Sequence, residues 1–517
     1  MKNPTLVCAS LIATSLEEMA HQMHVAAERG ADLVELRLDH LHNFNPRSDL
    51  QFLIKDRPLP VITTFRTKWE GDEYEGDEIL RFEALRLAME FGSDYVDIEL
   101  QAAEEFVESI STKKPENFKL IVSSHNYQNT PSPEELGDLV SRIQAVGADI
   151  VKIATTAMDI SDVARLFRVL VHCQVPVIGM VMGERGLVSR LLSSKFGMYL
   201  TFCALDEGKE SAPGQPTISE LLNLYRIKQT RADTTVLGLI SKPVGHSKSP
   251  LLHNAALKSA GVNAVYVPFL VDDLPSFLKA FSCPDFAGIR SLNLGFHYFL
   301  CIHVVCRISI SVNVIDFSVG IPHKVTAVTC CDEVDPIAKC IGAVNTIVRR
   351  SSDGKLVGYN TDYVGSISAI EDGIRVLTGL IGNQTIELPL AGRLFVVIGA
   401  GGAGKALAYG AKEKGTRVII ANRTYDKAKE LANLVGADAL PLTDLESFHP
   451  EKGMVLANTT SLGMQPNVNE TPLAKSCLGR YDLVFDAVYT PKETRLLTFK
   501  RSKRDWSYHC SWSGNVH

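Results

Sequence analysis

The sequence predicts an α/β protein: a TIM-type (β/α)8 barrel, then a two-domain α/β half that closes with a Rossmann-type dinucleotide fold. Three observations predict it. Eight short, β-branched apolar runs recur within about the first 220 residues, each followed by a helix-like stretch. A polar connector, roughly Tyr225 to Thr235, separates the halves. Between Arg393 and Gly410 one strand-like run opens directly into a glycine-rich turn and a helix.

A chain of 517 residues is too long for one core. With 45% hydrophobic and 22% charged residues it reads as an ordinary globular protein. The net charge of −6 supplies no basic face, so nucleic acid is excluded as a partner, while small anions still suit local basic pockets. The 11 cysteines lack CxxC pairs and metal-ligand spacing. No metal is expected, and the thiols read as free in a reducing compartment. The chain opens on a strand-like run, Thr5 to Leu11, with no visible targeting peptide. As written the expected location is cytoplasmic, or the plastid if the true N-terminus lies upstream. Leu292 to Ile315 is apolar, but it carries His297, His303, Arg307 and Asn313, so no membrane span is expected.

The eight strand runs are Thr5–Leu11, Leu33–Asp39, Pro60–Arg66, Tyr95–Leu100, Lys119–His125, Ile150–Thr156, Pro176–Met182 and Tyr199–Leu205. Helix starts are marked between them. Ser15 with Glu18 reads as a capping box, and Ser132-Pro133-Glu134-Glu135 places proline and acids in a first turn. Glu35 and Arg37 stand near the end of the second run, Arg66 ends the third, His125 ends the fifth, and Lys152 interrupts the apolar sixth. Barrel strands deliver chemistry at their C-terminal ends, so these side chains should converge on one mouth. Lys152 has two readings: an amine snorkelling out of a strand end, or a desolvated amine with lowered pKa, ready to form a Schiff base. His125, able to shuttle protons, favours the second. Arg37, Arg66 and Arg190 would add fixed positive charge for a carboxylate and lower the amine's pKa further.

Six ordered motifs, ELRLD (35–39), TFRTKWEG (64–71), SSHNY (123–127), VKIATT (151–156), GERGLVSR (183–190) and SAPGQ (211–215), resemble type I 3-dehydroquinate dehydratase across this whole segment. The resemblance implies that Lys152 forms an imine with the substrate ketone. It implies that His125 takes the C2 proton and later protonates the leaving hydroxyl, with Glu70 positioning it. Arg190 would hold the carboxylate, Glu35, Arg37 and Arg66 the ring hydroxyls. Ser211 and Gln215 would belong to a loop closing over the substrate.

In the second half, a strand run at 235–240 leads into SKPVGHSKSP (241–250), where the residues alone make Ser247 and Ser249 loop or cap positions. GIPHK (320–324), GAVNTI (342–347) and GYNTDYVG (358–365) each set polar groups beside glycine-bounded turns. Gly399, Gly401 and Gly404 match GxGxxG in a strand–turn–helix context, which lets backbone N–H groups meet a pyrophosphate. The alternative is a glycine turn that merely packs a helix on a sheet. The next run, Arg417–Arg423, ends in Asn422-Arg423-Thr424 with no acid. Arg423 suits the 2′-phosphate of NADP, where NAD would want a carboxylate.

These motifs resemble shikimate dehydrogenase from residue 236 to about 497, in the fusion order of the plant-type bifunctional family. The resemblance implies that Lys324 and Asp362 are the catalytic pair. Ser247, Ser249, Asn345 and Tyr489 would bind the substrate. NADP(H) would lie on Gly399, Gly401, Gly402, Gly404, Asn422, Arg423 and Thr424, with Thr459 of NTTSLGM on the nicotinamide side. The implied substrates are 3-dehydroquinate and 3-dehydroshikimate or shikimate. One position departs: Gly320 stands where the family has Thr, as in quinate dehydrogenases, yet Ser249 is retained where those carry Gly. Shikimate is the first reading and quinate the second.

The expected domains are 1–224, 236–370 and 390–497. Two segments fit none of them. Ile289–Asp316 is an apolar run inserted between Gly288 and Phe317 just before the Lys324 loop, resembling translated intron. Residues 498–517 read as a frameshifted tail. One base downstream, beyond Phe499, codon degeneracy permits Lys-Glu-Ala-Arg-Glu-Thr-Gly-Ala-Thr-Ile-Val-Val-Gly-Val-Glu-Met-Phe, with Trp506 fixing a glycine. That resembles the family's continuation. The expectation is an intact first activity and an impaired second one, with a non-catalytic splice product as the alternative.

Overall fold

The computed structural model describes residues 5–111, 113–245, 247–281, 316–350, 352–377, 389–448 and 451–501. Contacts divide the chain into two compact units: residues 1–239 with 247–290, and residues 240–246 with 291–517. The apolar insertion lies outside the described residues except at Asp316, and the tail lies outside them beyond Arg501. Among the described residues no helix is long and apolar enough to cross a membrane.

The first unit holds eight parallel strands: β1 (Leu6–Leu11), β2 (Leu33–Arg37), β3 (Val61–Thr64), β4 (Tyr95–Glu99), β5 (Lys119–His125), β6 (Ile150–Thr156), β7 (Val177–Met182) and β8 (Leu200–Cys203). They pair in the order β7-β6-β5-β4-β3-β2-β1-β8, and the ring closes where Tyr199 N–H donates to Val177 O at 2.9 Å. Helices such as α5 (Pro133–Ala145) and α6 (Ser161–His172) alternate with the strands. Ser132 and Glu135 form the full capping box at α5. The box expected at Ser15 is only half made: Ser15 accepts from Glu18 N–H at 3.2 Å, but the Glu18 carboxylate turns to Thr14 N–H. A backbone N–H donor one residue farther back lies within reach of the flexible glutamate.

Side chains alternate along each strand, so every second residue enters the barrel. Cys8, Leu33, Ile62, Ile121, Ile150, Ile178 and Leu200 pack as an apolar floor. Two residues further along these strands, the inward positions are Ser10, Glu35, Thr64, Ser123, Lys152, Met180 and Phe202. The strand period thus lifts the polar layer one storey above a dry one, at the C-terminal mouth.

In the second unit, the strands Asp316–Val319 and Thr346–Arg349 pair antiparallel, as do Thr346–Arg349 and Leu356–Tyr359. A separate parallel sheet runs Asp438–Pro441, Arg417–Asn422, Leu394–Ile398, Met454–Asn458, Tyr481–Asp486. Its order reverses beside Leu394–Ile398, the switch point at which such sheets bind ligands. Helices Asp362–Leu377, Gly402–Glu413 and Tyr425–Val435 bury one face against Phe395, Val397, Ile420 and Phe485. Leu445, Leu473, Leu478, Leu496 and Leu497 cover the other.

Candidate active sites

A pocket opens at the mouth of the barrel. Glu35, Arg37, Arg66, His125, Lys152, Arg190, Ser211 and Gln215 all line it, as the sequence suggests. Lys152 is buried, with its Nζ 4.5 Å above the Phe202 ring. It donates to Asp97 Oδ2 at 2.6 Å and to Glu35 Oε1 at 3.5 Å. Glu35 is fixed in turn by hydroxyls, Ser10 at 2.6 Å and Thr64 at 3.0 Å.

Charges of alternating sign lead outward from the amine. Arg66 is 2.9 Å from Asp97 and 3.0 Å from Glu99, Arg81 is 2.7 Å from Glu99, and Arg81 also meets Glu78. Arg66 and Ser123, which donates to Asp97 Oδ1 at 2.7 Å, complete the carboxylate's shell. Burial opposes ionisation of Asp97, but the adjacent Arg66 and Lys152 overcome it and hold the carboxyl far below its usual range.

The sequence gives Arg37 and Arg66 as fixed positive charge for a substrate carboxylate; in the structure Arg66 is paired with acids as above. Arg37 is held by Asp39 and Asp72, each at 2.6 Å. Acids two and thirty-five residues away claim it, a pairing that spacing alone does not reveal. Arg190 is different: it is buried, and none of its three nitrogens has a hydrogen-bond partner. Burial brings its guanidinium down to about 10. An unpartnered buried cation lining a cavity calls for an anion. Asp39, His40 and Asp72 cluster closely enough to hold a cation, but the Arg37 guanidinium already pairs with both carboxylates.

Glu70 takes up His125 twice, from the backbone N–H at 2.8 Å and from Nδ1 at 3.1 Å. Burial pushes the Glu70 carboxyl up to about 7. Burial, followed by Arg66 and Lys152, holds the His125 imidazole well below its ordinary value. A neutral imidazole with Nδ1–H directed at Glu70 leaves Nε2 as the base. Tyr127 stacks on this ring with centroids 6.1 Å apart. A Cβ on Gly71, at φ +92°, would strike the Tyr127 ring at 2.5 Å, so this glycine seats the cover.

In the second unit Lys324 Nζ donates to Asp362 Oδ2 at 2.5 Å. Asp362 begins its helix and is buried. Burial raises its pKa against the opposing pull of Lys324 and Asn345. Asn345 donates to Asp362 and, at 3.0 Å, to Thr361 Oγ1. Ser247 and Ser249 belong to the first unit, where Ser249 N–H donates to Ser247 Oγ at 3.2 Å at the start of helix Ser249–Ser259. Tyr489 is half-buried beyond strand Tyr481–Asp486.

The glycine turn follows strand Leu394–Ile398 and opens helix Gly402–Glu413. Gly399 has φ +114°, and a Cβ on it would meet Thr459 Oγ1 at 2.5 Å. A Cβ on Gly404 would lie 2.2 Å from Gly399 O, so the third glycine lets the helix pack on the strand. A Cβ on Gly401 would project into open space, the side a ligand would take. Thr459 Oγ1 donates to Ile398 O at 2.8 Å, and Asn422 Nδ2 donates to Thr424 O at 2.9 Å. Asn458, beside Thr459, is pinned by Asp486 Oδ1 at 3.0 Å.

Sequence reasoning missed Asp97, Ser10, Ser123, Phe202 and Tyr127. Asp97 had a signal: like Lys152, it is a charge inside an apolar barrel strand. It also missed Asp486, an acid at the end of a strand that is otherwise apolar after Asp482.

Residues 7–232 match the family model for type I 3-dehydroquinase. Residues 239–291 and 305–347 match that for the shikimate dehydrogenase substrate binding domain, and 383–486 that for shikimate / quinate 5-dehydrogenase. The gap from 292 to 304 lies inside the apolar insertion. The chloroplastic bifunctional 3-dehydroquinate dehydratase/shikimate dehydrogenase of Arabidopsis thaliana is 60% identical over 497 residues, 96% of this chain and 78% of that protein. The shikimate dehydrogenase (NADP(+)) of Bacillus cereus strain B4264 is 35% identical over 266 residues, 50% of this chain and 81% of that one. The crystal structure of shikimate 5-dehydrogenase from Thermus thermophilus, in complex with NADP(H) and shikimate, is 28% identical. It covers 53% of this chain and 86% of that chain, with a TM-score of 0.39. The chain belongs to the family of bifunctional 3-dehydroquinate dehydratase/shikimate dehydrogenases.

Proposed function

We propose that the chain dehydrates 3-dehydroquinate to 3-dehydroshikimate in its barrel and reduces that product to shikimate, with NADPH, in its second half. The observation that carries the first activity is the buried Lys152 amine, sharing one cavity with His125 and the unpartnered Arg190. The Lys152 amine attacks the ring ketone and water leaves, giving a protonated imine. Arg190 holds the carboxylate. His125 Nε2 removes a C2 proton, and the electron pair moves into the iminium. The same proton returns to the departing C1 hydroxyl as water, and a second water hydrolyses the imine. Glu70 orients His125, Asp97 and Glu35 keep the nitrogen's positive charge, and Ser211 and Gln215 cover the mouth. The paired Arg37 and Arg66 meet hydroxyls without drawing a second carboxylate away from Arg190.

NADPH, when bound, supplies the hydride for the second reaction. The open side of Gly401 and the close packing of Gly399 and Gly404 suit its pyrophosphate, and Gly402 begins the helix beneath it. Asn422 ends the strand Arg417–Asn422 and Arg423 and Thr424 follow it, where the 2′-phosphate belongs, and Thr459 borders the turn. Lys324 donates a proton to the substrate oxygen and regains one from water, while Asp362 holds the amine in place. Asn345 and Tyr489 bind the ring acid. Quinate is the second reading for this half, on the strength of Gly320. We further propose the domain limits 1–224, 236–370 and 390–497, with 289–316 and 498–517 as alien segments.

Borohydride trapping tests the lysine. Incubated with 3-dehydroquinate and borohydride, the full chain should gain one reduced adduct, located by peptide mass spectrometry at Lys152 and absent from Lys152→Met. Unmodified protein after turnover, or an adduct elsewhere, would overturn the mechanism. Oxidation of NADPH by added 3-dehydroshikimate tests the second activity separately.

A further inference from the structure

Position 320, four residues before Lys324, is a glycine, which by itself would leave room for a side chain. The structure fills that room from the end of the strand Thr235–Ser241. A Cβ on Gly320 would lie 2.6 Å from Ser241 Oγ and 2.9 Å from Ser241 Cβ, with Ile240 O at 3.3 Å. Ser241 is buried and donates to Ile321 O at 3.1 Å. Backbone bonds fasten the two segments on both sides of the pair. Gly320 N–H donates to Ile240 O at 2.7 Å, and Lys242 N–H to Ile321 O at 2.8 Å. Neither residue can back away without breaking one of them. The pair also lies one step from the site, because Val319 N–H donates to Asn345 O at 2.7 Å, and the Asn345 side chain holds Asp362.

We propose that Ser241 is a specificity-determining residue of the reductase half. It occupies the volume of a side chain at 320, and so sets the size of the pocket at the acid-bearing ring carbon. The inference rests on the reading that this half binds shikimate-type acids. Shikimate is flat at that carbon; quinate is tetrahedral there and adds a hydroxyl, so it needs more space. With serine at 241 and glycine at 320 one side chain fills a place for one. Residues 241 and 320 are therefore exchangeable only as a pair.

The test uses full-length wild type, S241G, G320T and S241G/G320T. Dissociation constants for shikimate and quinate come from calorimetry, and kcat/KM from NADP+ reduction. G320T should weaken both acids by roughly 100-fold, and adding S241G should restore shikimate to within about threefold of wild type. S241G alone, which only removes atoms and so should still fold, should move the quinate-to-shikimate affinity ratio toward quinate by about tenfold. Wild-type affinity in G320T, or an unchanged ratio in S241G, would overturn the proposal. If the acids bind with the expected ratios but wild type transfers no hydride, Ser241 keeps its role and the reductase reading falls. If wild type binds neither acid, both fall.

Discussion

The Cβ that Gly402 lacks would lie 2.6 Å from Cβ of Lys324 and 3.1 Å from its Cδ. The first residue of the dinucleotide helix and the lysine paired with Asp362 are thus in direct contact. Gly402→Ala should displace the amine by a fraction of an ångström to an ångström. NADPH-dependent kcat should fall by roughly 100-fold, while NADP+ affinity changes only a fewfold and dehydration is untouched. Fluorescence titration of the cofactor beside steady-state kinetics separates these effects. A loss confined to affinity would mean that the glycine serves the pyrophosphate alone.

Glu70 should govern the pH dependence of dehydration. Its carboxyl, raised by burial to about 7, is protonated below that pH and ionised above it. His125 is held low and stays neutral throughout, so it contributes no limb in that range. The rate should therefore rise with pH through about 7 as the ionised Glu70 strengthens the base. In Glu70→Gln that limb should vanish, with kcat lower by about 10- to 100-fold across the range.

Arg190 should trade stability for binding. Its buried, unpartnered charge is a cost to the folded barrel that a substrate carboxylate relieves. Arg190→Met should raise the melting temperature of the ligand-free barrel, by about 1–3 kcal/mol in free energy, while KM for 3-dehydroquinate rises about 100-fold or more. Calorimetry and kinetics on the same preparation check both signs, and a destabilised variant would count against the unpartnered charge.

Asp97 should be the opposite case. Asp97→Asn leaves Lys152 and Arg66 without their shared anion, at a cost of about 3 kcal/mol. The sign with pH follows from a depressed carboxyl. Its contribution is complete above the unfolded value of about 4 and is lost as pH falls toward the far lower folded value. Urea unfolding of wild type and variant should differ most at neutrality and converge in strong acid.

The parts of this fold that were legible are those fixed by short-range pattern. Eight β-branched runs implied eight barrel strands, and a charge inside an apolar run pointed to Lys152. The glycine turn and the dinucleotide strands around it were equally plain. What escaped depends on partners distant in sequence. Arg66 is visible as a cation, but its neutralisation by Asp97 and Glu99 arises only when β3 and β4 lie side by side. Gly320 stood out as a missing side chain, yet the serine that fills its place comes from a strand about eighty residues away. Strand ends were blurred for a local reason: Arg66 lies two residues beyond β3, and Leu38–His40 after β2 is a 3-10 turn.

The alternating charges that run from Lys152 to Glu78 carry one more consequence. Five of the six, Lys152, Asp97, Arg66, Glu99 and Arg81, have side chains no more than 5% exposed, while Glu78 is 38% exposed. Dissolved ions screen charges that touch water and act weakly on those that do not. Salt can therefore weaken the outermost contact without reaching the field at the amine. The chemistry at the barrel mouth is insulated from the ionic strength of whatever compartment holds the enzyme, and only the entry of its anionic substrate should feel the salt.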